Sequence, residues 1–167
     1  MYYDQLIMDG KVLVEDYITV APKQVVGNLL TGVSVLPVVD GKVGLLHVYR
    51  HPIAAESWEV PRGFLDAEEA GVASAIRELE EETGLTCAPE NMRSLGYVTP
   101  DAGVLAARMH IFLASPCVRV RAYAPNELGH RAFRLFSEHE LDDMLRRSEI
   151  QDPSTVIGLY KYFRGLY

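Results

Sequence analysis

The stretch RELEEETG, Arg77 to Gly84, places four glutamates within five consecutive positions. On a helix, Glu78, Glu81 and Glu82 fall within an arc of roughly 100°. Like charges three and four residues apart repel by roughly 0.2–0.5 kcal/mol per pair, and no Lys or Arg stands four residues after any of these glutamates to offset them. One reading is a solvated acidic face. The other is a site for a hard divalent cation, because Mg²⁺ and Mn²⁺ take oxygen ligands and are held by one or two carboxylates together with substrate phosphates. The preceding EVPRGF, apolar and glycine-bearing rather than a polar linker, favours the second.

Such carboxylates need a rigid frame. Val72, Ile76, Leu79 and Thr83 recur at i, i+4, i+7 and i+11, one stripe of an amphipathic helix beside which the glutamates lie. Asp66 is the expected N-cap and Gly84 the glycine that ends the helix. Upstream, KVLVEDYITV, VSVLPVV and KVGLLHVYR read as strands, with DGK as a hairpin turn between the last two. Downstream, MRSLGYV, ARMHIFLA, VRVRAY and RAFRLFS read as strands separated by the turn-rich TPDAG and APNELGH. Two helices follow. Ser137 and Glu140 form a capping box for EHELDDMLRR, and Asp152-Pro153 is an N-cap and first-turn pair for STVIGLYKYF. The expected class is a mixed α/β domain with one helix inserted among strands.

With 167 residues, 49% of them hydrophobic, the chain fits one globular domain with a substantial core. Sixteen basic against 23 acidic residues give a net charge of −7, which disfavours nucleic acid and anionic membranes as partners. Cys87 and Cys117 make neither a CxxC pair nor a disulfide framework and are expected as core thiols in a reducing compartment. The first residues lack a signal-peptide pattern and no apolar run approaches a membrane span, so the expected location is the cytoplasm. His47, His51, His110, His130 and His139 show no ligand spacing and are expected on the surface or internally bonded.

From Gly63 onward, Glu69, Arg77-Glu78, Leu79, Glu81-Glu82, Gly84 and Leu85 stand at nine specified positions across 23 residues. This pattern resembles the Nudix box at each of its fixed positions. The resemblance implies the Nudix fold, a mixed sheet sandwiched between helices, and hydrolysis of a nucleoside diphosphate linked to another group. Carried onto this sequence, it implies Glu78 and Glu82 as principal ligands of Mg²⁺ or Mn²⁺, Glu81 assisting, and the backbone carbonyl of Arg62 as a further ligand. Gly63 and Gly84 are expected to serve backbone conformations that a Cβ would hinder, while Glu69 and Arg77 would form a bracing ion pair.

The likeness extends beyond the box. VYRHPIAAESWEVPRGF resembles a segment of ADP-ribose pyrophosphatases, and SEIQDPSTVIGLYKYF resembles their closing helix. Pro100 stands fifteen residues after Leu85, where that branch has a proline. Two departures stand out, Val48 for a glutamine and Arg62 for an alanine, and Glu68 stands where most members have glycine. The expected reaction is cleavage of ADP-ribose or a related nucleoside diphosphate sugar, with Glu127 of APNELGH orienting or deprotonating the water. Arg50 would contact the diphosphate or terminal ribose, Arg62 would add a cation beside the phosphates, and Trp58 or Tyr49 would stack on the base. Residues 1–30 are read as an N-terminal strand segment that forms a homodimer, and 31–167 as the Nudix domain. The alternatives are a nucleotide-sensing module of the same fold and a pyrophosphohydrolase of nucleoside triphosphates.

Overall fold

The computed structural model describes all of Met1–Tyr167 except residues 23–27, 67–70 and 126. Strands β1 (Tyr2–Met8) and β2 (Lys11–Thr19) form a separate antiparallel hairpin. The main sheet contains β3 (Leu30–Val39), β4 (Lys42–Arg50), β5 (Ala55–Glu59) and β6 (Arg62–Phe64). Helix α1 (Gly71–Thr83) follows, then the short β7 (Leu85–Thr86), β8 (Met92–Val98), β9 (Arg108–Ala114), the short β10 (Val118–Arg119) and β11 (His130–Phe136). Helices α2 (Glu138–Arg146) and α3 (Pro153–Phe163) end the order. The sheet runs β11-β4-β3-β9-β8, with β5 paired to β4 and β6 to β3.

Strand alternation divides the core in two. Val33 and Val35 of β3 and Phe112 and Ala114 of β9 pack on Ala75 and Leu79 of α1. Leu36, Val38, Ile111 and Leu113 face the opposite way, onto Leu141 and Met144 of α2 and Leu159 of α3. The expected sheet between helices is what forms. Both cysteines are buried on the α1 side, as expected of core thiols, and burial pushes the Cys117 thiol up to about 12. Among the described residues no helix is long and apolar enough to cross a membrane.

One feature of the sheet creates a cleft. Strands β3 and β4 pair only beside their turn, at Val38–Val43 and Val39–Lys42. Beyond that point they splay, and β5 lines β4 while β6 lines β3. The turn itself has Asp40 and Gly41 at positive φ, which fits a two-residue hairpin. The capping box of α2 forms as expected, and Asp152 caps α3 by accepting from the backbone N–H of Thr155. Of VRVRAY only Val118–Arg119 pairs as a strand, against two residues of β7, and the N-terminal strand segment contains Tyr2–Met8 as well as the strand expected from KVLVEDYITV.

Candidate active site

Gly63 and helix α1 meet at the splayed end of the sheet. Gly63 pairs with Val33 in register, and a Cβ at Gly63 would fall inside the Glu78 carboxyl group. Glycine is therefore what lets the Glu78 carboxylate lie over this backbone. One turn on, Glu82 Oε2 accepts from the backbone N–H of Arg62 at 2.8 Å. At the far end of the helix Gly84 has φ +72° and donates to the Glu80 carbonyl, the expected C-terminal stop.

The glutamates do not all share one environment. Glu78 and Glu82 are only 7% and 5% exposed, on the buried side of α1 together with Ala75 and Leu79. The buried face is thus rotated from the expected apolar stripe and includes two carboxyl groups. Glu81 lies outside the cleft lining, its side chain 57% exposed and 3.3 Å from Arg77. Arg77 also donates to Glu78 Oε1 at 2.8 Å and stands 3.6 Å from Asp66. The acidic cluster is thus partly balanced by an arginine that precedes it. Glu69, the partner expected for Arg77, lies outside the described residues.

Burial raises the Glu82 carboxyl to about 8 from its ordinary 4.5, partly opposed by the Arg62 N–H, and burial also raises Glu78. The sign of the linkage follows. Between pH 4.5 and about 8 the folded, metal-free protein holds the Glu82 proton more tightly than the unfolded chain, so this group's stabilisation is complete below that window and lost as pH rises through it. Chemical denaturation of metal-free protein should show Glu82→Gln more stable than wild type at pH 8, by on the order of 1–3 kcal/mol, with the gap closing near pH 5. A gap independent of pH would mean that Glu82 ionises as an ordinary surface carboxylate.

A cleft of about 580 Å³ is lined by Arg50, Arg62, Gly63, Glu78, Glu82, Pro100, Glu127 and His130, among others. Arg50, Pro100 and Glu127 are therefore brought together with the box, as the sequence predicts. Glu127 precedes β11 and stands, side chain 58% exposed, with its Oε2 3.7 Å from His130 Nε2. His130, expected to be a surface or internally bonded residue, has a buried side chain whose Nε2 is also 3.5 Å from Glu82 Oε1. Burial lowers its pKa, opposed by the nearby Glu127. One ligand atom from each of Glu82, Glu127 and His130 lies within 4.8 Å of the others. The only signal for His130 in the sequence is its place three residues after Glu127.

Two expectations change. Trp58 precedes Glu59, and strand alternation turns the two side chains to opposite faces. Glu59 faces the arginines, whereas Trp58 stacks on His47 at 4.7 Å and meets Phe136 edge-on at 4.8 Å, away from the cleft. Tyr49 likewise is not among the cleft-lining residues. Arg62 is not a spare cation. It donates to Glu59 at 2.8 Å and to Asp152 at 2.7 Å, both acids almost fully buried. Arg50 forks onto the same Glu59, with its closest bond at 2.6 Å, and remains about one third exposed toward the cleft.

The donors fit a hard divalent cation. Of two buried carboxyl groups, Glu78 occupies the space that Gly63 leaves and Glu82 lies on the Arg62 N–H, with a Glu127 carboxylate oxygen within 4.8 Å of Glu82.

A family model described as NUDIX domain matches residues 29–156. The chain is 33% identical over 131 residues to the CMP-5'-(N-acetyl-N-hydroxy-3-aminopropyl)phosphonate hydrolase of Streptomyces rubellomurinus (strain ATCC 31215), covering 77% of this chain and 62% of that protein. It is 32% identical over 131 residues to the ADP-ribose pyrophosphatase of Bacillus subtilis (strain 168), covering 76% of this chain and 69% of that protein. A crystal structure of an ADP compounds hydrolase superposes with a TM-score of 0.70 at 18% identity, over 81% of this chain and 71% of that one, so the fold is shared. With Gly63, Arg77, Glu78 and Glu82 of the box lining one cleft and the family model matching residues 29–156, the chain belongs to the NUDIX domain family.

Proposed function

We propose that the protein is a metal-dependent hydrolase that cleaves within the diphosphate of ADP-ribose or a related nucleoside diphosphate sugar, giving a nucleoside monophosphate and a sugar phosphate. The observation that carries this reading is the pair of buried carboxylates, Glu78 and Glu82, laid on the Arg62–Gly63 backbone in a cleft that also presents Arg50. The names of the two relatives support it, since one specifies ADP-ribose and the other a CMP derivative.

A diphosphate resists hydrolysis because its oxygens repel a nucleophile. Glu78 and Glu82, with the Arg62 carbonyl and Glu81 as further oxygen donors, would hold Mg²⁺ or Mn²⁺, which would supply charge neutralisation and acidify a water. Glu81, 3.3 Å from Arg77, would have to exchange that contact for the ion. Arg50, fixed by Glu59, offers its remaining N–H groups to a phosphate. Glu127 accepts the proton of the attacking water while the new phosphorus–oxygen bond forms and the bridging bond breaks. His130 lies between the two carboxyl groups, its Nε2 3.5 Å from Glu82 and 3.7 Å from Glu127.

The test is a panel of nucleoside diphosphate sugars, dinucleotides and nucleoside triphosphates assayed with Mg²⁺ and with Mn²⁺. Diphosphate-linked compounds should give the highest kcat/KM. A triphosphate preferred tenfold over every diphosphate sugar would overturn the substrate assignment, and tight binding without turnover would favour a nucleotide-sensing module.

The reading includes a homodimer. The β1–β2 hairpin contacts the rest of the described chain through Tyr17 on Gly103 and the Val20–Leu105 bridge, while Tyr3, Ile7 and Leu13 are each about 60% exposed. Apolar side chains on so lightly anchored a ribbon favour a second copy as cover. Light scattering at micromolar concentration should give twice the mass of 18.6 kDa, and a fully active monomer would remove this element.

A further inference from the structure

Resting on the diphosphate reading above, we propose that Phe64, which lines the cleft together with Pro100, Leu105 and Met109, is the platform on which the nucleobase stacks. Phe64 is 69% exposed, an unusual state for a phenylalanine held on a paired strand beside a cleft. Its backbone is fixed on both sides, by pairing with Gly32 and by Arg77, whose guanidinium donates to the Phe64 carbonyl at 3.4 Å. The ring is therefore presented from a rigid support rather than from a loose loop.

The sheet order assigns the direction of the ligand. Arg50, Glu127 and His130 come from β4, β11 and the loop before it, whereas Met109 belongs to β9 and Pro100 and Leu105 to the segment between β8 and β9. Since β3 separates β4 from β9, the charged and apolar linings approach the cleft from opposite sides of β3, with Glu78, Glu82 and Phe64 between them. A sugar set against the apolar side would leave its hydroxyls without partners, at a desolvation cost. A nucleobase can turn its π-face to the apolar side, keep its polar edge toward solvent and gain stacking. The diphosphate then lies over Glu78 and Glu82, and the second sugar extends toward β4 and β11.

The apolar lining has few groups to read a base edge. Thr31 lies on β3, which pairs with β9, and its hydroxyl already donates to the Arg108 carbonyl at 3.1 Å, while Asp66, two residues after Phe64, stands 3.6 Å from Arg77. Recognition by stacking depends on ring area, so purines are preferred over pyrimidines without strong discrimination among purines.

Phe64→Ala should raise KM for ADP-ribose roughly 10- to 100-fold and bring the purine-to-pyrimidine ratio of kcat/KM close to one, while Phe64→Tyr and Phe64→Trp restore both. A second readout does not require turnover. Phe64→Trp adds an indole at the platform, whose fluorescence AMP should quench and ribose 5-phosphate should not. Equal quenching by the two, or a Phe64→Ala variant with wild-type KM and base preference, would overturn the proposal. Absence of diphosphate hydrolysis with selective quenching by AMP would overturn the catalytic reading and leave the platform standing.

Discussion

Replacing Glu82 by Gln should lower turnover about 10³-fold while the fold persists. The magnitude follows from the several kcal/mol of charge stabilisation that a bound divalent ion contributes, at about 1.36 kcal/mol for each tenfold in rate. Glu82 holds a central position in the cleft, with one oxygen on the Arg62 N–H and the other facing His130. The amide keeps the shape and loses the anionic ligand. Chelator should abolish wild-type activity and Mg²⁺ or Mn²⁺ should restore it, whereas added metal should not rescue the variant. Steady-state rates together with circular dichroism check this, and a variant that turns over like wild type would remove Glu82 from the metal site.

Glu127→Gln should lower kcat by roughly 10²–10⁴-fold, the usual contribution of general acid–base catalysis. Its metal titration and KM should change far less, because Glu127 comes from the loop before β11 and not from the box helix. Near-normal kcat in the variant would return Glu127 to the ordinary loop residues. The base role would then pass to a box carboxylate.

Much of this arrangement is legible in the sequence because it depends on local spacing. Glu78 and Glu82, four apart, must share a helix face, and Gly84, Ser137 with Glu140, and Asp152 with Pro153 mark their helix ends through short-range chemistry. What is illegible depends on partners distant in the chain. His130 reaches Glu82 across 48 positions through the pairing of β11 with β4, and no local spacing announces it. Arg62 reads as a free cation until folding brings Asp152 to it. Trp58 is the residue one would choose for stacking by type, but the strand parity that turns Glu59 toward the arginines turns Trp58 away. Exposed Phe64 is harder to pick out, since one phenylalanine in a glycine-bearing segment resembles any core residue. The buried face of α1 likewise differs from its apolar stripe because two carboxyl groups take part in it.

The most direct test of the central claim is product analysis by mass after hydrolysis of ADP-ribose in ¹⁸O-labelled water with Mg²⁺. The account predicts AMP and ribose 5-phosphate in equal amounts, with one ¹⁸O atom per turnover on one of the two phosphates. Adenosine with a diphosphate-bearing ribose, label on a carbon, or no product from any nucleoside diphosphate sugar would contradict it.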